Sequence, residues 1–540
     1  MQEGVTAATT TFAPSDGGAY PQRRRLPVLR SLMTPSLHTP SPAKLRRRHD
    51  RRARSGRALR GRLALAGLAA ALTLLASAGP AADPAAAYSS QYAFTITGHG
   101  WGHGIGLSQW GAYGYAKHGW DYKAILKHYY TGIALKTFAN STMRVRLRSG
   151  VSAVKVTCPN AFTVQGTGSA MTIPAGATAT VTHTGSAYRV VAGSLRRDFT
   201  PAVTFKATKG SLRLLTASDL GKTGAYRGTI RVVRSGGGLM IVNHVPLESY
   251  LRGVVPHEVS PSWPAEALKT QAAAARAYAL SSRQPSQSWD VYCDVRDQAY
   301  VGIGIEDSRT DAAVRATAGV APSYGGKPIM AFYFSCSGGH TENIELSWAG
   351  ASKIAYLKGV KDPYDYYGSL HDWGPIRRTP SQIGKALAAK GSLRAVYTVK
   401  RGSSPRIVKA AIVGSRGTKY IDGGTLRVKL GLNSSWAVFT SMSISPAASN
   451  RATIAAGRSI TLKGRIYPAL AQGAKVYLRS YYDGSWHSRG VTTSRASESL
   501  AGGYTARYST YSVRVAPKKT TKYYFVKGKA KSPQTTVKVN

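Results

Sequence analysis

Three textures of hydrophobic patterning follow one another along the chain. The first is an unbroken apolar run, Leu63 to Ala78. The second, from Phe94 to about Thr440, mixes strand and helix periods. Met143-Arg144-Val145-Arg146-Leu147-Arg148 alternates apolar with basic, as a half-buried strand does. Thr229 to Val233 and Leu239 to Val242 flank Ser235-Gly236-Gly237-Gly238, a hairpin signal. Ser108 to Lys117, Tyr122 to Tyr130, Asp311 to Ala318 and Gln382 to Lys390 read as helices, the last stopped by Gly391. Ile329 to Phe334 reads as an apolar strand. The main helix is alanine-rich and begins near Pro264, with Ser262 or Trp263 expected as its cap. Ala272 to Ala275 carry so little bulk that another backbone can approach closely. The third texture starts at Ser441. A Ser/Ala/Pro linker gives way to short strands such as Lys475 to Tyr482 and Tyr504 to Tyr508, the spacing of a small sandwich. The expected fold class is α+β: a β-rich domain with a central Ala-rich helix, then a small all-β Ig-like sandwich. The expected divisions are a leader over 1–78, a linker over 79–93, a domain over 94–440, a linker over 441–453 and an accessory domain over 454–540.

Charge changes the picture of partners. The 540 residues carry a formal net charge of +49. The first 62 residues hold 14 Lys and Arg against three acids, or +11, which leaves +38 for the rest. Such a surface attracts anionic partners. Arg46 to Arg62 is a basic lead, the apolar run of 16 follows, and Ala76-Ser77-Ala78 fits a cleavage site. Together they read as a secretory signal. The run is short for a membrane span, which needs about 20 residues, although an uncleaved anchor stays open. Either way the body is expected outside the cytoplasm, secreted or associated with wall or membrane. That disfavours nucleic acid and favours anionic wall polymers.

Two stretches carry candidate chemistry. Val254-Val255-Pro256-His257-Glu258-Val259 holds a lone acid among apolar or neutral residues. Burial disfavours the charged carboxylate and raises its pKa, which suits a general acid. Lys269, Gln271, Arg276 and Tyr278 project from the helix that follows. The second stretch is Phe94 to Ala134. Glycines at 98, 100, 102, 104 and 106 alternate with His99, Trp101, His103 and Ile105, and Gln109 and Trp110 come next. Alternate glycines permit close backbone approach, and the rings offer faces to a sugar. His99 and His103 are spaced i, i+4, but that spacing pairs ligands only on a helix, and further ligands are missing. No metal or other cofactor is expected here.

The stretch from Pro246 to Tyr278 resembles the signature of the SpoIID/LytB family, stage II sporulation protein D and amidase enhancers. The matching residues are Pro246, Leu247, Glu248, Tyr250, Val254, Val255, Glu258, Glu266, Ala267, Leu268, Lys269, Gln271, Ala272, Arg276 and Tyr278. The glycine-His-glycine and Ser-Gln-Trp-Gly-Ala stretch resembles the family's second signature, and Ser-Gly-Gly-x-Thr-Glu at 337–342 resembles a third. The resemblance implies a lytic transglycosylase that cuts peptidoglycan glycan strands, with Glu258 as catalytic acid. It also implies a substrate that has lost its stem peptides. Lys269, Gln271, Arg276, Tyr278, His99, Trp101, His103, Gln109 and Trp110 would then hold the glycan. A single-acid mechanism fits, because no convincing second carboxylate stands near Glu258 in sequence. The rival implication is a wall-binding enhancer of a separate cell-wall amidase.

The family's glycine motif follows the acid, whereas here it precedes it. A circular permutation accounts for this and requires Phe94 to Thr97 to lie beside Trp436 to Thr440. Some family members carry zinc near the third signature. Here only Cys336, His340 and Cys293 offer themselves, and an oxidising compartment makes a Cys293–Cys336 disulfide the more natural pairing.

Overall fold

The structure is a computed structural model that describes residues 92–447 and 452–540. The basic leader, the apolar run and most of the first linker lie outside the described residues, so the secretory reading is not addressed by it. Among the described residues, no helix is long and apolar enough to cross a membrane. The fold is α+β and rich in strands.

The largest sheet has seven strands, and the expected alternating strand, Thr142–Val151, lies second from one edge, paired with Gly238–Pro246. Met143, Val145 and Leu147 point inward and are fully buried, while the arginines between them stay partly exposed. The expected hairpin forms with Ser235 opposite Gly238, leaving Gly236 and Gly237 as a two-residue turn. Gly236 takes a φ of 61°, which such tight hairpin turns demand. A second, six-stranded sheet shares the same apolar core.

Pro246 ends the long strand, and the chain turns into a short helix, Leu247–Arg252, then a single turn, Val255–Glu258, then the central helix, Ala265–Ser281. Pro264 occupies the cap position itself, with no side-chain cap, so neither Ser262 nor Trp263 plays that part. The helix is buried on both sides. Leu268, Ala272, Ala275 and Ala279 belong to the core under the large sheet. Ala273, Ala274 and Ala277 belong to a second core with Ile105, Leu107 and Tyr129. Only residues as small as alanine let one helix serve two cores at once.

The first strand, Tyr92–His99, pairs antiparallel with Ala437–Ser443, with Thr95 opposite Thr440 and Ile96 opposite Phe439. The two ends of the domain therefore lie side by side, as a permutation requires. The strand Ala437–Ser443 also runs past the expected boundary at 440 and continues the sheet into Ile460–Tyr467. Tyr467, Leu500 and Tyr508 join one core with Tyr92, Phe94 and Trp373. A further core, with Leu462, Leu478, Tyr511 and Phe525, lies within the C-terminal strands.

Other expectations shift in extent. The strand predicted over 329–334 is ordered as a ladder only at Tyr333–Phe334, parallel to Leu107–Ser108. The helix predicted over 382–390 spans Pro380–Leu387, started by a capping box between Thr379 and Gln382.

Candidate active site

Glu258 ends its single helical turn facing a cleft and is only 9% exposed. Its carboxyl is hydrogen-bonded by the Tyr333 hydroxyl, the Ala299 backbone N–H and the Gln109 side chain. Those bonds favour the charged form, but burial outweighs them and pushes the pKa up to about 7. The Tyr333 hydroxyl is oriented from behind. Tyr250 donates to Gln298 Oε1 at 3.1 Å, and Gln298 Nε2 donates to Tyr333 at 3.0 Å. Tyr333 is thereby left with its own proton for Glu258. Gln109 Nε2 also donates to the Glu258 carbonyl at 3.2 Å and to Gln271 Oε1 at 3.4 Å. This ties the second signature to the helix that follows the acid.

The glycine segment forms the facing wall, with Trp101, Gly102 and His103 on the cleft. Its backbone is clamped by distant segments. Gly100 N donates to His371 O at 2.9 Å, Trp101 N to Cys336 O at 2.7 Å, and Gly102 N to Asn433 O at 3.0 Å. Gly100 and Gly102 have φ of 73° and 120°, and a Cβ on Gly102 would come within 2.7 Å of Phe334 Cβ. The glycines thus serve close packing against protein. His103 is fixed in one tautomer: Nδ1 accepts from Ile105 N–H at 3.0 Å, so Nε2 carries the proton toward Tyr333 O at 3.2 Å. Burial and the nearby Arg427 charge lower its pKa to about 3, so it stays neutral.

Of the sequence-predicted residues, Trp101, His103, Gln109 and Tyr278 line the cleft with Glu258. Gln271 stands one layer behind, fully buried. Lys269 pairs with Glu266 at 2.6 Å, and Glu266 also accepts from Tyr122 N–H. Arg276 has no exposed side-chain surface. It pairs with Glu248 at 2.7 Å and donates to the Val320 and Val314 carbonyls, which makes it a strut between elements. His99 is off the cleft, packed on Trp436 and paired with Asp372. Trp110 belongs to a row of rings: Trp263 packs against it at a tilt at 4.8 Å, Tyr113 edge-on at 5.4 Å, then Tyr367 and the half-exposed Tyr366.

The structure adds residues that the sequence left unmarked. Asp297 is a second carboxylate on the cleft, accepting from the Tyr278 hydroxyl at 3.2 Å and from Tyr292 N–H at 2.9 Å. Tyr333, Phe332 and Arg427 complete the wall. All four come from segments well removed from Glu258 in sequence: Asp297 and Phe332 from loops, Tyr333 from a short strand and Arg427 from a helix. The one local hint was the Asp-Gln-Ala-Tyr stretch at 297–300, which supplies Asp297, Gln298 and Ala299 together.

The cysteine expectations do not hold. All three cysteines are free and buried. Cys293 Sγ donates to Leu147 O, and Cys336 lies 3.2 Å from Asp365 Oδ2. Cys336, Asp365 and His371 do converge, with ligand atoms within 4.8 Å of one another. This trio differs from the Cys336, His340 and Cys293 set read from the sequence, and Asp365 accepts hydrogen bonds from Ser337, Gly338 and His371.

Residues 235–324, from the hairpin turn through the central helix to the strand beyond it, match the SpoIID family model, described as stage II sporulation protein. The match lies in the stretch that holds Glu258 and the central helix, so this part of the chain resembles the SpoIID family. It is 31% identical over 212 residues to stage II sporulation protein D of Bacillus subtilis, covering 36% of this chain and 60% of that one. It is 35% identical over 141 residues to an uncharacterized protein of Brachyspira hyodysenteriae, 25% of this chain and 37% of the relative. It is 37% identical over 115 residues to the amidase enhancer of Bacillus subtilis, 21% of this chain and 15% of that protein. The chain thus spans less than two thirds of each of these relatives. No solved structure matches it.

Proposed function

We propose that this protein is an exported lytic transglycosylase that cleaves the glycan strands of peptidoglycan. Glu258 acts alone as acid and then base. Its carboxyl proton passes to the glycosidic oxygen as the bond to the anomeric carbon breaks. The resulting carboxylate takes the proton of the muramoyl C6 hydroxyl, whose oxygen closes on the same carbon to give a 1,6-anhydro sugar. The carboxyl needs to be protonated first and ionised second, so a pKa near the working pH serves both steps.

The observation that carries this reading is Glu258 itself, a buried carboxyl with a pKa of about 7 on the wall of an aromatic cleft. The row from Trp263 to Tyr366 supports it, because sugar rings stack on such faces. Asp297 is the alternative partner that a hydrolase would need, but both its oxygens already accept hydrogen bonds. In this reading residues 94–440 are the catalytic unit. Residues 454–540 form an Ig-like accessory sandwich whose basic face meets anionic wall polymers.

A second reading rests on the likeness to an amidase enhancer: the protein binds wall and activates a separate cell-wall amidase without cutting. One digest separates the readings. Purified glycan strands are incubated with the protein, with Glu258→Gln and with Asp297→Asn, and the ends are read by mass spectrometry. Anhydro-muramoyl ends from wild type and Asp297→Asn, and none from Glu258→Gln, are expected. Reducing ends that vanish in Asp297→Asn would identify a hydrolase. Binding without cleavage by any of the three would favour the enhancer.

A further inference from the structure

Arg427 brings a cationic side chain to the cleft wall, from the last turn of the helix Gly423–Leu430. Its residue is only 9% exposed. Nε donates to the carbonyls of Leu432 and Asn433 at 3.2 and 3.1 Å. Among the described residues, neither terminal nitrogen has a hydrogen-bond partner, and Arg427 belongs to none of the ion pairs. The other buried arginines differ. Arg276 is paired with Glu248, and Arg406 donates to the His340 and Ser337 carbonyls with Glu342 and Asp365 acting favourably on its charge. Arg427 has desolvation alone acting on it, which draws its pKa down to about 10 and still leaves it cationic at neutral pH.

A buried charge without a counter-charge is expensive to keep. It is reasonable at a binding site, where the ligand brings the missing anion. We infer that Arg427 is a carboxylate-binding residue in the same cleft as Glu258, and that a ligand carboxylate completes it through paired N–H···O bonds. The planar guanidinium suits that bidentate geometry. The position is rigid, because Asn433 O receives both Arg427 Nε and Gly102 N. His103 beside it is neutral, so the guanidinium meets no competing titration there. The inference rests on the proposed function only for the ligand's sugar backbone. On a muramoyl strand the carboxylate has two sources: the lactyl group of a residue without a peptide, or the terminus of a stem peptide.

The test uses the full chain in the Glu258→Gln background, so that ligands persist. Isothermal titration compares three muramoyl tetrasaccharides: lactyl groups free, lactyl groups capped as neutral amides, and lactyl groups carrying stem peptides. The expected result is binding of a carboxylate form about tenfold or more tighter than the amide, the worth of a charged hydrogen bond. Adding Arg427→Gln should abolish that preference, and Arg427→Lys should keep part of it. Preference for the free lactyl form names the first source; preference for the peptide form names the second. Equal binding of all three, or a preference untouched by Arg427→Gln, overturns the inference. A separate readout covers misfolding: removing an uncompensated charge should raise the thermal midpoint of the free protein, and a fall would count against the inference. Selectivity without any cleavage by wild type would sink the transglycosylase and spare Arg427. Cleavage without selectivity would do the reverse.

Discussion

Glu258 sits where two opposing influences nearly balance. Burial favours its neutral form, and three hydrogen bonds favour the anion; burial wins by enough to place the pKa at about 7 instead of 4.5. Two pH effects follow. As a general acid it should lose activity about tenfold per pH unit above 7, visible in a pH–rate profile. Replacing Tyr333 by Phe removes a bond to the anion, so the upper limb of that profile should move to higher pH. The second effect is on stability. Between pH 4.5 and about 7 the folded state binds the proton more tightly than the unfolded one, so stability is full below the unfolded value and falls as pH rises through 7. Glu258→Gln should therefore be inactive yet more stable at pH 8, by as much as roughly 3 kcal/mol, with no gain at pH 4. Paired thermal melts at the two values check it. Glu258 was marked in the sequence by its place among apolar residues and, more strongly, by the family resemblance around it. Tyr333, Asp297 and Arg427 were not, since they reach the cleft from segments 39 to 169 residues further along, and no local pattern announces that approach.

At the scale of elements, the central helix explains which of its polar side chains touch the cleft and which do not. Its register sends Gln271 toward Gln109 and Tyr278 to the cleft, but buries Arg276 against Glu248. The sequence made the helix and its alanine face plain. It did not tell a substrate-facing arginine from a strut, because both look alike until the partner element, here the turn holding Glu248, is placed. Arg276→Ala leaves Glu248 without its partner, and such losses cost about 3–5 kcal/mol. Urea unfolding should show a fall of that order, while any protein that remains folded should keep the pH–rate profile of wild type. A substrate role for Arg276 would instead raise KM with little change in stability.

For the molecule as a whole, the ladder between Tyr92–His99 and Ala437–Ser443 is the organising feature. Its presence was legible only through the displaced glycine motif, which made neighbouring ends necessary. The sharing of a core by Tyr467, Leu500 and Tyr508 with Phe94 and Trp373 was not legible, because a linker-like composition near 441 suggested separation. A chain ending at Ala447 should therefore melt at a lower temperature than the full chain over the same transition. Two independent transitions in the full chain, the earlier part unchanged by truncation, would show that the C-terminal strands stand apart.

The same ladder has a bearing on timing. The strand that leads into the glycine wall finds its main partner some 340 residues later in the sequence, a non-local pairing of the kind that is intrinsically slow to form. During synthesis the acid and its helix emerge well before Arg427, Asn433 and Ala437–Ser443. A half-made chain thus has the acid but not the wall opposite it. The cleft is complete only once the chain through Ala437–Ser443 has been made.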